Sequence, residues 1–182
     1  MSLKSDDERY GAVAQALHWS IAFLLLLMVL SGYLSGTLPK ATIVPLHKAT
    51  GILVLGLTVI RLLWWGLDPN RPGDEMLGWE RIPARLVKWA LLFLGLALPL
   101  SGWMMSSAAG RPISFYGIFD VPLLIGPDRA LAGTVYGLHG ILALILVAAA
   151  ALHVAGALRH GIILKDGVLL RMMPAHRRGR SF

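Results

Sequence analysis

An all-α integral membrane protein, a four-transmembrane-helix bundle with both termini cytoplasmic, is the architecture this sequence predicts. Three observations lead there. The 182-residue chain is 56% hydrophobic and only 15% charged, where soluble domains run at about 45–50% and about 25%. Its mean hydropathy is +0.67. Four apolar stretches each approach the roughly 20 residues that a helix needs to cross a bilayer. Finally, the lysines and arginines gather in the connections of one side, the asymmetry that orients membrane helices. The length suits one compact domain over residues 1–182.

The first span is expected over residues 13–34. It follows the polar stretch from Lys4 to Arg9 and lacks a small-residue cleavage site, so it reads as a retained helix rather than a signal peptide. Thr37-Leu38-Pro39-Lys40 joins it to the second span, residues 46–67, and Asp68-Pro69-Asn70-Arg71-Pro72-Gly73-Asp74 leaves that span as a turn-rich loop. The third span, residues 86–106, contains Pro99, which should kink it in a way membrane helices tolerate. The longest connection, Ala108 to Thr134, mixes Gly110, Pro112, Gly117, Pro122, Gly126 and Pro127 with aromatic and apolar residues. It should fold as a cap over one end of the bundle. The fourth span covers residues 135–158. Unbroken runs of Leu, Ala, Val and Ile fit helices, and nothing shows the alternating strands of an outer-membrane barrel.

Orientation follows from the basic residues. Lys4, Arg9, Arg61, Arg71, Arg81, Arg85, Lys88, Arg159, Lys165, Arg171, Arg177, Arg178 and Arg180 fall on one side. Only Lys40, Lys48, Arg111 and Arg129 fall on the other, so both termini are expected in the cytoplasm. The net charge of +7 does not point to nucleic acid, because its carriers sit in short loops and tails between apolar spans. Cysteine is absent, which excludes disulfides, iron–sulfur clusters and thiolate ligation of haem.

Four of the six histidines, His18, His47, His139 and His153, lie inside or at the ends of these spans. An ionisable side chain at such depth is expensive unless something binds it. Imidazole is a common axial ligand of haem iron, and helix bundles hold cofactors between facing helices. The 14-residue step from His139 to His153 is nearly four turns, so the two share a face about 21 Å apart along the axis. Depth then pairs His47 with His139 towards the outside and His18 with His153 towards the inside. Such pairs would carry electrons between two haems. A single membrane histidine would more simply be a hydrogen-bonding group across helices; two depth-matched pairs argue against that.

Small residues lie at the same levels. Gly51 and Gly156 sit one turn from His47 and His153, Gly137 and Gly140 flank His139, and Gly32 lies 14 residues after His18. They either make room for a porphyrin or simply pack helices closely. Arg61, 14 residues after His47 at the inner level, either pairs with a haem propionate or snorkels to lipid phosphate. Trp64 and Trp65 read as belt aromatics. His160 either lines the inner site or, more simply, sits at the interface, and His176, in the basic tail from Met173 to Arg180, is expected in solvent.

At these positions the chain resembles the bacterial cytochrome b561 family over almost its whole length. The resemblance includes Ala16-Leu17-His18-Trp19, Leu46-His47-Lys48 with Gly51, Arg61-Leu62-Leu63-Trp64 and Leu100-Ser101-Gly102-Trp103-Met104. It extends through the 14-residue spacing of His139 and His153 to Lys165-Asp166-Gly167 and Leu170-Arg171-Met172-Met173-Pro174. It implies four helices in the inner membrane and two non-covalent b haems ligated by His18, His47, His139 and His153. It also implies electron transfer between ubiquinone in the respiratory quinone pool and a donor or acceptor at the periplasmic side. Members similar to this chain include superoxide:ubiquinone oxidoreductases and relatives that work with periplasmic proteins, so the expected activity is that of an oxidoreductase or an electron-transfer cytochrome. Where some members carry two adjacent histidines, this chain has His160-Gly161. On the outer side Lys40, Lys48, Arg111 and Arg129 outnumber Asp120 and Asp128, a positive mouth that suits an anion such as superoxide. Two rival readings are a haem-bearing membrane anchor for a partner redox protein and a haem-free metal carrier lined by the same histidines.

Overall fold

The structure is a computed structural model that describes residues 2–70, 72 and 78–174. His176 and the basic tail around it, with Arg71 and Asp74 of the second loop, lie outside the described residues. Helix α1 spans Ala12–Leu34, α2 Lys40–Leu67, α3 Gly78–Ala108 and α4 Arg129–Leu158. All four are long and apolar enough to cross a membrane.

Each of the last three helices begins six to eight residues before its expected start. In α2 the Pro39 carbonyl accepts from the Thr42 N–H at 3.0 Å and the Ile43 N–H at 3.2 Å, which closes the first turn. Pro45 then removes only one hydrogen bond near the helix start, and the helix runs through it. In α3 Glu80 sits in the first turn, where the helix dipole favours an acid. Arg159 donates to its carboxylate from the end of α4. In α4 the Asp128 side chain accepts the Leu131 N–H at 3.0 Å, an N-cap that stabilises the first turn. Apolar periodicity marks the lipid-facing length of a helix and is blind to these polar first turns.

Backbones pack most closely between α3 and α4, α1 and α2, and α2 and α3. Leu94 and Leu98 of α3 meet Leu146 and Ala149 of α4 in the core, with Leu25, Val29, Leu91, Leu142 and Ala143 against them. Outside this core, large apolar side chains such as Phe23, Leu63, Phe93 and Leu144 stand exposed, as lipid-facing surface requires. Neither α1 with α4 nor α2 with α4 is among the close packings.

The long connection does cap one end, and it contains a hairpin that periodicity missed. Strands β1 (Ile113–Phe115) and β2 (Phe119–Val121) are antiparallel, with Ser114 opposite Asp120. Tyr116 (φ 51°) and Gly117 (φ 76°) turn the chain between them, closed by Ile118 N–H to the Phe115 carbonyl at 3.0 Å. Two successive positive φ values match the twist of a tight hairpin. Strands of three residues are too short to show alternation. The cap is tied down by Trp103 Nε1 to the Pro122 carbonyl (2.9 Å) and by Thr50 Oγ1 to Tyr116 Oη (2.9 Å).

At the opposite end α4 passes into a π-helical turn, Arg159–Leu164, and the N-terminal segment meets the 3-10 turn that follows, Leu169–Met172. Ser5 donates from its N–H and its Oγ (2.6 Å) to the buried Asp68 carboxylate. Arg9 reaches the carbonyls of Leu170 and Met173, and Trp19 Nε1 that of Met172 at 2.8 Å. These bonds make a lid, and they put both ends of the described chain at the same end of the bundle.

Candidate functional site

The four membrane histidines come together as two pairs. The imidazoles of His18 (α1) and His153 (α4) stand 6.1 Å apart between ring centroids, with planes at 67°. Those of His47 (α2) and His139 (α4) stand 6.4 Å apart, at 73°. No hydrogen bond joins the rings of either pair. With metal–nitrogen bonds of about 2 Å on each side and each ring's own radius added, two axial imidazoles on one metal ion stand about 6 Å apart. Both pairs have the separation that a haem iron between them requires, and each bridges helices whose backbones do not pack closely. His18 Nδ1 is buried without a hydrogen-bond partner, a cost of about 1–3 kcal/mol for a polar atom left dry. The donor set therefore fits two bis-histidine haems.

The outer pair has a second layer of partners. Ser31 Oγ donates to the Met28 carbonyl at 3.0 Å, three residues back on its own helix. It also lies 2.9 Å from His47 Nδ1. Ser101 repeats the arrangement on α3, donating to the Leu98 carbonyl at 2.8 Å and lying 2.8 Å from His139 Nδ1. A hydroxyl has one proton, and a carbonyl can only accept. Both contacts are satisfied together only when the serine proton points at the carbonyl and Nδ1–H donates to the serine. Each outer histidine is thereby held with its lone pair on Nε2.

Glycines stand beside these rings. A Cβ on Gly102 would lie 3.3 Å from His139 Cε1, and one on Gly32 would lie 3.7 Å from His47 Cε1. Gly32 was expected at the outer level, whereas Gly102 on α3 was not singled out for the site. A Cβ on Gly51 would instead meet Met28 Cε at 3.4 Å, and Gly137, Gly140 and Gly156 face space with no neighbour within 4 Å. Arg61 lines a small inner pocket with Ala14, Trp64, Trp65, Asp68 and Met172, within Coulombic reach of both His18 and His153.

His160 is buried. Its Nδ1 meets Asp166 Oδ2 at 2.5 Å, and its Nε2 lies 3.7 Å from Glu80 Oε2. Burial pushes the Asp166 carboxyl up, but hydrogen bonds from His160 and the Val168 N–H outweigh it and hold the group below the usual carboxylate range. Sequence reasoning missed this cluster because Glu80 and Asp166 lie 86 residues apart in the chain. The next residue, Gly161, is crowded: a Cβ there would fall 2.5 Å from Leu169 Cδ2. A second histidine at that position would displace Leu169.

At the end with the hairpin Lys48 Nζ donates to Ser106 Oγ at 2.8 Å. Lys48, Ser106 and Arg111 line an open cavity of about 390 Å³ with Val44, Met105 and Tyr136. Lys40 and Arg129 are not part of its lining.

Comparison with known proteins identifies the family. The family model for prokaryotic cytochrome b561 matches residues 9–175. The chain is 37% identical to cytochrome b561 homolog 2 of Escherichia coli in an alignment 181 positions long that covers 95% of either chain. It is 30% identical to cytochrome b561 homolog 1 of the same organism, over 91% of this chain and 97% of that one. A probable superoxide oxidase, CybB, of Yersinia pestis is 28% identical over 93% of this chain and 98% of its own.

Proposed function

Since the chain belongs to the prokaryotic cytochrome b561 family, multi-pass bacterial inner-membrane proteins that move electrons through b-type haem, we propose that it carries electrons across the membrane through two haems, between an outer-side donor and the quinone pool. The observation that carries this reading is the pair of imidazole separations, 6.1 Å and 6.4 Å, at two levels of one bundle. His18 and His153 hold the inner haem, and His47 and His139 the outer one. A haem b held by these pairs would supply one-electron iron chemistry.

The chain's own residues do the rest. Ser31 and Ser101 orient the outer imidazoles, Arg61 neutralises propionate charge at the inner level, and α3 serves as a wall that donates no ligand. The basic asymmetry of the loops supports cytoplasmic termini, which makes the end with the hairpin periplasmic. Lys48 and Arg111 then form a positive periplasmic mouth that draws in an anionic donor. Superoxide fits that charge, and the similarity to a probable superoxide oxidase supports it. Two superoxide ions lose one electron each to leave dioxygen, and ubiquinone gains both electrons with two protons to become ubiquinol.

A second reading, in which the outer end docks a periplasmic redox protein, is favoured by the exposed apolar hairpin tip, with Ile118 75% and Phe119 55% accessible. The haem-free metal carrier is disfavoured, because among the described residues no three His, Cys, Asp or Glu side chains gather around one point.

The test is a reduced-minus-oxidised spectrum with haem quantitation, followed by mixing the oxidised protein with superoxide. Two haems per chain are expected, with one lost in His47→Ala and the other in His153→Ala. Retention of both in either variant would overturn the pairing. Haem that stays oxidised after mixing would remove superoxide as donor and leave the docked protein as the source of electrons.

A further inference from the structure

The two histidine pairs differ in one respect that their shared chemistry does not require. Both outer imidazoles have a hydroxyl partner on Nδ1, at 2.9 Å and 2.8 Å. At the inner level His18 Nδ1 is buried with no partner at all. The outer serines come from separate helices, α1 and α3, yet they solve the problem in the same way. Each spends its proton on the carbonyl three residues back, at 3.0 Å and 2.8 Å, and so presents only lone pairs to the ring. A serine that merely filled space in a membrane helix would make the backbone bond alone.

We propose that Ser31 and Ser101 are positioning residues that fix the Nε2-ligating tautomer of His47 and His139 and lower the reduction potential of the outer haem. This rests on the two-haem reading above. An Nδ1–H that donates to an oxygen leaves more electron density on the ring, which makes Nε2 a stronger donor to iron. A stronger donor favours the oxidised, more positive iron over the reduced one, so the potential falls. At the inner level the orphaned His18 nitrogen gives no such donation, and the Arg61 cation within Coulombic reach disfavours added positive charge. Electrons move towards the higher potential. The arrangement therefore biases flow from the outer centre to the inner one, from the periplasmic side towards the cytoplasmic side.

The experiment is a potentiometric titration of the purified haem-loaded protein, followed optically and by the low-spin ferric resonance of each centre. His153→Ala, which retains only the outer haem, assigns the two signals. Ser31→Ala and Ser101→Ala are each expected to raise the outer potential and shift its resonance, with the inner centre unmoved. The reduced-to-oxidised ratio at a fixed ambient potential should rise several-fold, where tenfold corresponds to about 59 mV for a one-electron couple. Ser101→Thr, which keeps the hydroxyl, should return the wild-type value.

Two bound haems whose potentials ignore both alanine changes would overturn the inference and leave the two-haem reading intact. An equal shift of both centres, or a threonine variant that behaves as alanine, would overturn it as well. If alanine releases the outer haem, Ser101→Thr decides: a wild-type potential supports the inference and a raised one overturns it. Protein that binds no haem at all would bring down both readings together.

Discussion

Ser31, Ser101 and Gly102 are small residues whose size and polarity suit the neighbouring rings. The hydroxyls hold ring nitrogens, and the missing side chain of Gly102 lets His139 lie against α3. Gly102→Ala places a methyl 3.3 Å from His139 Cε1, so the ring must tilt away. The expected result is a loss of outer haem occupancy with the inner haem retained, read by haem quantitation and by the resonance of each centre. An occupancy unchanged at both centres would show that the ring has slack there. The histidines themselves were legible in the sequence, because an ionisable group amid leucines is conspicuous and helical spacing gives its depth. The serines were not, since a serine in a membrane helix usually bonds its own backbone and nothing in one helix's sequence shows which ring it faces. The partners of His160 were hidden for a related reason: Glu80 and Asp166 come from the start of α3 and from beyond α4.

Among the helices, α4 is the mounting rod. It supplies one imidazole to each pair, so the spacing of the two centres is set within one continuous helix. α1 and α2 supply one each, and α3 supplies the wall. α4 ends at Leu158, the last expected residue, and passes directly into the π-helical turn Arg159–Leu164, a form that recurs at functional positions. That turn presents Gly161 to Leu169 so closely that Gly161→Leu should detach the 3-10 turn and loosen the lid. Limited proteolysis of detergent-solubilised protein checks this: cleavage between residues 165 and 174 should become faster, while the four helices stay protected. Cleavage at the wild-type rate would mean that Leu169 has room to move. The cores of the four spans were readable from apolar length alone, but their first turns were not. Pro39, Glu80 and Asp128 start α2, α3 and α4 by backbone hydrogen bonds, dipole and cap. None of those signals is apolar.

The bundle as a whole has two unlike ends. One is capped by a hairpin and opens through a cavity lined by Lys48 and Arg111; the other is closed by the two terminal segments. A reporter active only in the cytoplasm, fused after residue 174, is expected to be active, and one inserted at Gly117 inactive. The reverse pattern would invert the membrane orientation and put the positive mouth inside the cell. The lid also dictates an order of events during synthesis. Ser5 can take its place on Asp68 early, but Arg9, Gln15 and Trp19 wait for the carbonyls of residues 170 to 173. Chains emerge from the ribosome N-terminus first, so every helix is made before the last latch closes. Until then this end of the bundle lacks the bonds of Arg9, Gln15 and Trp19 that close it, so its closure trails the synthesis of all four helices and cannot guide their insertion.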